Sequence, residues 1–259
     1  SAASDVYKRQ EEYSMKKILI ILILILSVFS VANAHPFKSE KELYDYYAEI
    51  DKKIFAEKNK PIIRKKYPRK LTDKELEQEQ IPFSLKRYTV DEIVGNNKLV
   101  YNAFNYQLMS ISQINENNKE EGVIRTFDED ENLISIAYIE NSKGVMGIYR
   151  EYYPWGVLKN ETPYYTSEIN GKLKNYYPDG LLKEEYTYYN NKKEGLATMY
   201  YESGQKFAIE NYKNDLKNGD YYMYYENGNL GMKAFFVNGK REGTIEFYEE
   251  DGKKIEKNK

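Results

Sequence analysis

Three patterns of apolar and polar positions follow one another along the 259-residue chain. The first is an apolar run from Ile18 to Val31, interrupted only by Ser27 and Ser30. The second has helical spacing: Leu43, Tyr46, Tyr47, Ile50, Ile54 and Phe55 share one face of a 3.6-residue period. Ser39-Glu40-Lys41-Glu42 fits a capping box ahead of it, so an amphipathic helix is predicted over 40–58, ending before Pro61. Thr72-Asp73-Lys74-Glu75 is a second capping box, opening a short helix that stops before Pro82. From Tyr88 onward the helical period gives way to alternation, which places successive side chains on opposite faces of strands.

The alternating part is a repeat. Glycines recur every 24 residues at Gly147, Gly171, Gly195, Gly219 and Gly243, and again at Gly156, Gly180, Gly204, Gly228 and Gly252. Five residues after each glycine of the first series stands a tyrosine: Tyr152, Tyr176, Tyr200, Tyr224 and Tyr248. The next residue is also tyrosine at 153, 177, 201 and 225, and Glu249 in the last copy. Seventeen residues after the first-series glycines come Tyr164, Tyr188, Tyr212 and Phe236. A degraded copy precedes these, with Gly122 one residue out of phase and Phe127 in place of the tyrosine. Asn132 stands at its second glycine position, where Asn is the usual substitute for a positive φ. Asn96 to Asn118 reads as a still weaker copy.

Each copy reads as a β-hairpin. Tyr177-Pro178-Asp179-Gly180 has type I turn chemistry, and a type I turn followed by a left-handed residue is the three-residue hairpin with a bulge. One hairpin is marginal in water, so each must be covered by its neighbours. The expected fold is mainly β: an elongated single-layer array of stacked antiparallel β-hairpins, preceded by one N-terminal α-helix. Residues 35–90 form the helical lead-in and linker, and 91–259 the repeats. The clear units are 147–170, 171–194, 195–218, 219–242 and 243–259, after a degenerate one at about 122–146. Ala197, Met199 and Tyr201 fall on one face and Thr198 and Tyr200 on the other. Tyr152, Tyr176, Tyr200, Tyr224 and Tyr248 are expected to form the more exposed row and to carry partner binding. Against this, cross-strand packing claims most rings in a sheet of this kind.

Composition narrows the chemistry. There are 28 Tyr against 10 Phe and 1 Trp, and tyrosine suits thin sheets because it buries a ring while keeping its hydroxyl wet. The net charge of −2 offers no basic field for nucleic acid. No cysteine and a single histidine exclude thiol nucleophiles, disulfides and cysteine-based metal centres.

Lys16-Lys17, the apolar run and Ala32-Asn33-Ala34 have the layout of a secretory signal over 15–34, cleaved after Ala34. The run is shorter than the roughly 20 residues a spanning helix needs. The expected location is therefore periplasmic, outer-surface or secreted. Residues 1–14, ahead of Met15, read as translated read-through and are left out of the fold.

Other constellations have plainer readings. Ile62 to Lys70 carries Arg64, Lys65, Lys66, Arg69 and Lys70, a contact for anionic lipid or glycan or, more simply, a solvated linker. His35 at a mature N-terminus could bind copper, but no second ligand is identifiable. Asp128-Glu129-Asp130-Glu131-Asn132 starts like a calcium loop, yet Leu133 stands at the glycine position and Ile139 at the closing glutamate, which favours a solvated turn. Glu249 and Glu250 could serve a glycosidase, but nothing sets two carboxylates across a cleft. The reading is a protein without cofactor, metal or catalytic residues.

The pattern E-G-x-x-x-x-Y-Y-x-x-G, followed by aromatic-x-N-G-K, resembles the MORN repeat variant found in YwqK-type antitoxin-like proteins. Glu194-Gly195, Tyr200-Tyr201 and Gly204 carry it, as do Asn218-Gly219, Tyr224-Tyr225 and Gly228, and Asn238-Gly239-Lys240, Glu242-Gly243 and Gly252. The resemblance covers about residues 122–259. It implies a hairpin array that binds protein partners or membrane surfaces and has no catalytic residues. The antitoxin label implies a toxin partner in the cytoplasm, whereas the signal-like segment points to an envelope or surface partner, protein or glycan. A hydrolase of wall polymers is the third alternative.

Overall fold

The computed structural model describes residues 37–64, 89–102, 105–140 and 143–256. The signal-like segment, His35, the second capping box and Lys65 to Lys70 lie outside them. The chain divides into two compact units, Ser1–Asp45 and Tyr46–Lys259.

Helix α1 is Glu40–Lys58, as the spacing predicts. In the first unit, the Ser39 hydroxyl accepts from the Glu42 N–H at 3.2 Å, and the Glu42 carboxylate takes the Lys38 N–H at 2.7 Å. The reciprocal half of the capping box thus reaches one residue beyond the cap itself.

Among the described residues, the second unit holds the remainder of α1 and a single open antiparallel sheet of 16 strands. The degenerate part comprises β1 (Thr89–Val94), β2 (Asn97–Asn102), β3 (Leu108–Ile114), β4 (Glu120–Phe127) and β5 (Leu133–Glu140). The clear repeats begin with β6 (Gly144–Tyr152), β7 (Leu158–Tyr165), β8 (Glu168–Ile169), β9 (Gly171–Tyr176), β10 (Leu182–Tyr189) and β11 (Lys192–Tyr200). They continue with β12 (Lys206–Lys213), β13 (Leu216–Lys217), β14 (Gly219–Tyr224), β15 (Leu230–Val237) and β16 (Lys240–Phe247). Strands pair in chain order throughout; the two-residue β8 and β13 pair only with β7 and β12. Consecutive hairpins are what a sequence without crossover helices can form.

Two kinds of turn alternate. At one rim, Tyr201 N–H donates to the Gln205 carbonyl and Gly204 N–H to the Tyr201 carbonyl, with Gly204 at φ +83° and a register shift after Met199. This is the predicted turn with its bulge, and it recurs at 153–157, 177–181, 225–229 and 249–253. In the degenerate copy the left-handed residue is Glu131 (φ 62°), not Asn132 as expected. The one-residue offset already visible at Gly122 runs through that whole copy. At the other rim, paired left-handed residues make the two-residue hairpin turn: Thr166-Ser167, Asn190-Asn191, Asn214-Asp215 and Asn238-Gly239.

Two apolar clusters anchor the unit. Ile50 and Ile54 of α1 pack on Val123, Ile136, Met146 and Tyr152. Leu99, Tyr101, Leu108, Ile111 and Phe127 form the second, with Ile62 against it. Each fully buried aliphatic side chain contributes roughly 1.5–3 kcal/mol. The later repeats bury mainly alanines, Ala197, Ala208 and Ala234, so they are held by rings and hydrogen bonds more than by aliphatic bulk.

Candidate functional surface

The cross-strand register defines two faces. Arg150, Glu161, Lys174, Glu185 and Thr198 lie opposite one another in turn, as do Ile209 with Tyr222, Lys233 with Glu246. This is the helix-bearing face. Arg150 makes a two-pronged ion pair with Asp51 of α1, at 2.8 and 2.7 Å, and a third contact to Glu161 at 3.0 Å. Glu161 in turn accepts from the Tyr176 hydroxyl at 2.8 Å. The other face carries Ala197, Met199, Ala208, Glu210, Met223 and Met232, with Tyr186 and Tyr212 beside them.

The tyrosine row expected to be exposed lies on the helix-bearing face, and its first member is covered. Tyr152 retains only 7% exposure, packed in the α1 cluster with the Lys58 ammonium 4.2 Å above its ring. The sequence could not place the helix over the repeats, so it could not separate this copy from the others. Tyr176, Tyr200, Tyr224 and Tyr248 are half-buried. The Tyr176 hydroxyl is held by Glu161 and that of Tyr248 by Glu246, at 2.7 Å. Burial first, and the Glu161 carboxylate second, push the Tyr176 phenol above its ordinary range.

The adjacent tyrosines, to which the sequence reading assigned no role, join the units. The hydroxyls of Tyr153, Tyr177, Tyr201 and Tyr225 donate to the carbonyls of Tyr176, Tyr200, Tyr224 and Tyr248, at 2.8–3.0 Å. At the opposite rim, Ser167, Asn191 and Asp215 side chains accept the N–H of Val145, Ile169 and Lys193. Their recurrence at 24-residue spacing was the available signal; its purpose needed the register. The 17-residue offset also acquires a cause. Gly147, Gly171, Gly195 and Gly219 lie directly opposite Tyr164, Tyr188, Tyr212 and Phe236 across a strand pair, so the offset is the length of the hairpin between register partners.

Among the described residues, four places of possible chemistry can be located. The Asp128 carboxylate accepts the N–H groups of Asp130 and Asn132, so its oxygens serve the turn. Arg64 pairs with Glu131, which removes it from any free basic patch. Glu249 and Glu250 are exposed on the last turn. A shallow open depression of about 430 Å³ is lined by Lys53, Glu57, Gln113, Glu121 and Tyr138. No grouping of His, Asp and Glu suited to a metal ion occurs among the described residues.

On the helix-bearing face, apolar side chains stay exposed beyond the helix. Leu196 is 52% exposed, Leu216 48%, Phe235 45% and Val237 39%. They occupy positions of β11, β13 and β15 on the same face as Arg150 and Thr198.

The family model of the MORN repeat variant matches residues 169–191, 193–214 and 217–238. Each match runs from one two-residue turn to the next and encloses one glycine-bulge hairpin. No curated protein matches the chain. Similar solved structures include the crystal structure of TarM, at 10% identity and a TM-score of 0.19, covering 77% of this chain and 26% of that one. Another is a variant of S. aureus TarM crystallised with fondaparinux, alpha-GlcNAc-glycerol and UDP, at 11% identity and a TM-score of 0.17, covering 77% and 27%. The chain spans about a quarter of the length of these proteins.

Proposed function

We propose that this chain is an exported, non-catalytic repeat protein of the YwqK-like MORN variant type that docks a protein partner on the helix-bearing face of its sheet. The observation carrying this reading is the change along that face. Through Tyr152 it is covered by Ile50 and Ile54 of α1, whereas from Leu196 to Val237 it offers exposed apolar side chains. Four large apolar side chains exposed on one face, with Asn211 and Asp220 standing between Leu196 and Phe235 in the register, give that face the mixed apolar and polar character of an interface. A polar surround of Lys172, Lys174, Lys213 and Glu185 suits the rim of an interface. Several carboxylates of the sheet, Glu161, Glu185, Glu210 and Glu246, are engaged by basic or phenolic partners, which supports scaffolding over catalysis.

The test is photo-crosslinking in the native host, with a reactive residue at Leu196 or Phe235 and, as control, at Met199 on the other face. A discrete adduct from the first two positions alone, in the envelope or external fraction and lost on Leu196→Glu, is the expected result. Equal labelling from Met199, or an uncleaved cytosolic chain, counts against it. An antitoxin would instead give an adduct with a toxin and protect cells on co-expression.

A further inference from the structure

Three ring pairs on the face opposite the helix share one geometry. Tyr186 and Tyr212 have centroids 6.3 Å apart at 63°, Tyr221 and Phe236 6.1 Å apart at 67°, and Tyr149 and Tyr164 6.4 Å apart at 72°. The first two pairs hold a lysine head group. The Lys193 ammonium lies 3.8 Å from the Tyr186 centroid and 5.1 Å from that of Tyr212. The Lys217 ammonium lies 4.9 Å from Tyr221 and 5.6 Å from Phe236, and 2.5 Å from the Glu210 carboxylate.

The third pair is the positional equivalent of the second, three repeats earlier, with Tyr149 for Tyr221 and Tyr164 for Phe236. At the position of Lys217 stands Val145, which supplies no charge. A carboxylate remains at the ring edge: the Tyr149 hydroxyl donates to Glu151 at 3.0 Å, as the Tyr186 hydroxyl does to Glu184 at 3.2 Å. The charged group facing Glu151 is Lys159, at 3.7 Å, in an exposed pair that contributes little and opens readily. Two half-buried ring faces beside a carboxylate attract an ammonium through the ring quadrupole and the negative charge together.

We propose that Tyr149, Tyr164 and Glu151 form a receptor site for an alkylammonium group from outside the chain, namely a lysine side chain, free or methylated, on a protein partner. Lysine is favoured because the equivalent cleft at Tyr221 and Phe236, and the cleft of Tyr186 and Tyr212, each receive that side chain from their own chain. The proposal rests on the reading of the chain as a partner-binding protein, but it concerns the opposite face. Loss of crosslinking at Leu196 and loss of lysine binding at Tyr149 are therefore separable outcomes.

The experiment uses the whole mature chain with labelled tyrosine rings. It is titrated with N-acetyl-lysine methylamide, its Nε-trimethyl derivative, the uncharged norleucine analogue and phosphocholine vesicles. Saturable shifts of the Tyr149 and Tyr164 ring signals are expected with the two ammonium compounds in the millimolar range, and none with norleucine. Val145→Lys, which installs the missing head group, should weaken that binding at least tenfold while the melting transition is kept. Lys217→Val, which empties the cleft and leaves the Glu210 carboxylate beside it, should create a second responding pair at Tyr221 and Phe236. No saturable shift in the wild-type chain, or unchanged binding in Val145→Lys, overturns the site. A response to the vesicles alone overturns the assignment to lysine.

Discussion

The Tyr201 hydroxyl donates a 2.8 Å hydrogen bond to the main-chain carbonyl of Tyr224, one repeat further along the sheet. The same bond joins Tyr153 to Tyr176, Tyr177 to Tyr200 and Tyr225 to Tyr248. The second tyrosine of each pair is thus the tie between hairpins at the bulged-turn rim.

Tyr201→Phe keeps the ring and deletes the tie. Loss of one such bond, with a carbonyl left to find water, should cost about 0.5–1.5 kcal/mol. Urea unfolding should show a lower midpoint with an unchanged slope. Tyr200→Phe, whose ring is on the helix-bearing face, serves as the comparison. If the two variants lose stability equally, the tie has no special weight.

The period was open to reading because glycine and tyrosine stand where backbone conformation and stacking demand them, and those demands recur every 24 residues. Gly204 at φ +83° and the bulge beside Tyr200 follow from local chemistry alone. The α1 span was equally legible, since its spacing and Ser39 cap are local. The partner of α1 was not. The ion pair from Asp51 to Arg150 joins residues far apart in sequence, and no periodicity encodes it. By period alone Tyr152 is indistinguishable from its repeat equivalents, although among these tyrosines it is the one in the α1 cluster. The candidate apolar stretch from Leu196 to Val237 was also hidden, because its four residues belong to three strands and acquire a common face only through the register.

Arg150 gives a prediction about that helix contact. It is 8% exposed in its side chain and neutralises both Asp51 and Glu161. Arg150→Ala would leave two carboxylates facing each other without their cation. Breaking a buried pair by removing one partner costs about 3–5 kcal/mol. Asp51→Asn should cost less, because Arg150 keeps Glu161. Thermal unfolding of both variants tests the order, and an equal or greater loss in Asp51→Asn would contradict it.

Alkaline pH should loosen the sheet. Burial first, and the charge of Glu140 second, push the Tyr46 phenol up to about 12. Burial and neighbouring carboxylates also raise Tyr101, Tyr176, Tyr186 and Tyr212. An unfolded tyrosine titrates near 10. The folded chain therefore holds more protons than the unfolded one above that value, and stability falls as pH rises. It is fully present below about pH 10 and is lost on the way to 12 and beyond. Denaturant midpoints measured alongside tyrosinate absorbance should fall over this window, with ionisation of the folded chain lagging behind that of the unfolded chain. A midpoint that holds steady through it would show that these phenols ionise freely in the fold.

Two glycines with similar backbone angles should differ in their tolerance of a methyl group. Gly147 and Gly204 both lie in the left-handed region, at φ +78° and +83°. A Cβ at Gly204 would meet nothing within 4 Å, so Gly204→Ala costs the backbone strain alone, about 1–2 kcal/mol. A Cβ at Gly147 would lie 2.6 Å from Cγ2 of Ile50, a side chain fixed in the helix–sheet cluster. Gly147→Ala must add to that strain the displacement of a packed isoleucine, for which overpacking costs about 1–3 kcal/mol. The double variant Gly147→Ala with Ile50→Ala, which removes the Cγ2 methyl in the way, separates the two contributions. Trimming Ile50 should recover part of the loss in the Gly147→Ala background, whereas in the wild-type background it should only destabilise. If Ile50→Ala lowers the midpoint equally in both backgrounds, the close approach of α1 to β6 at this glycine does not limit stability.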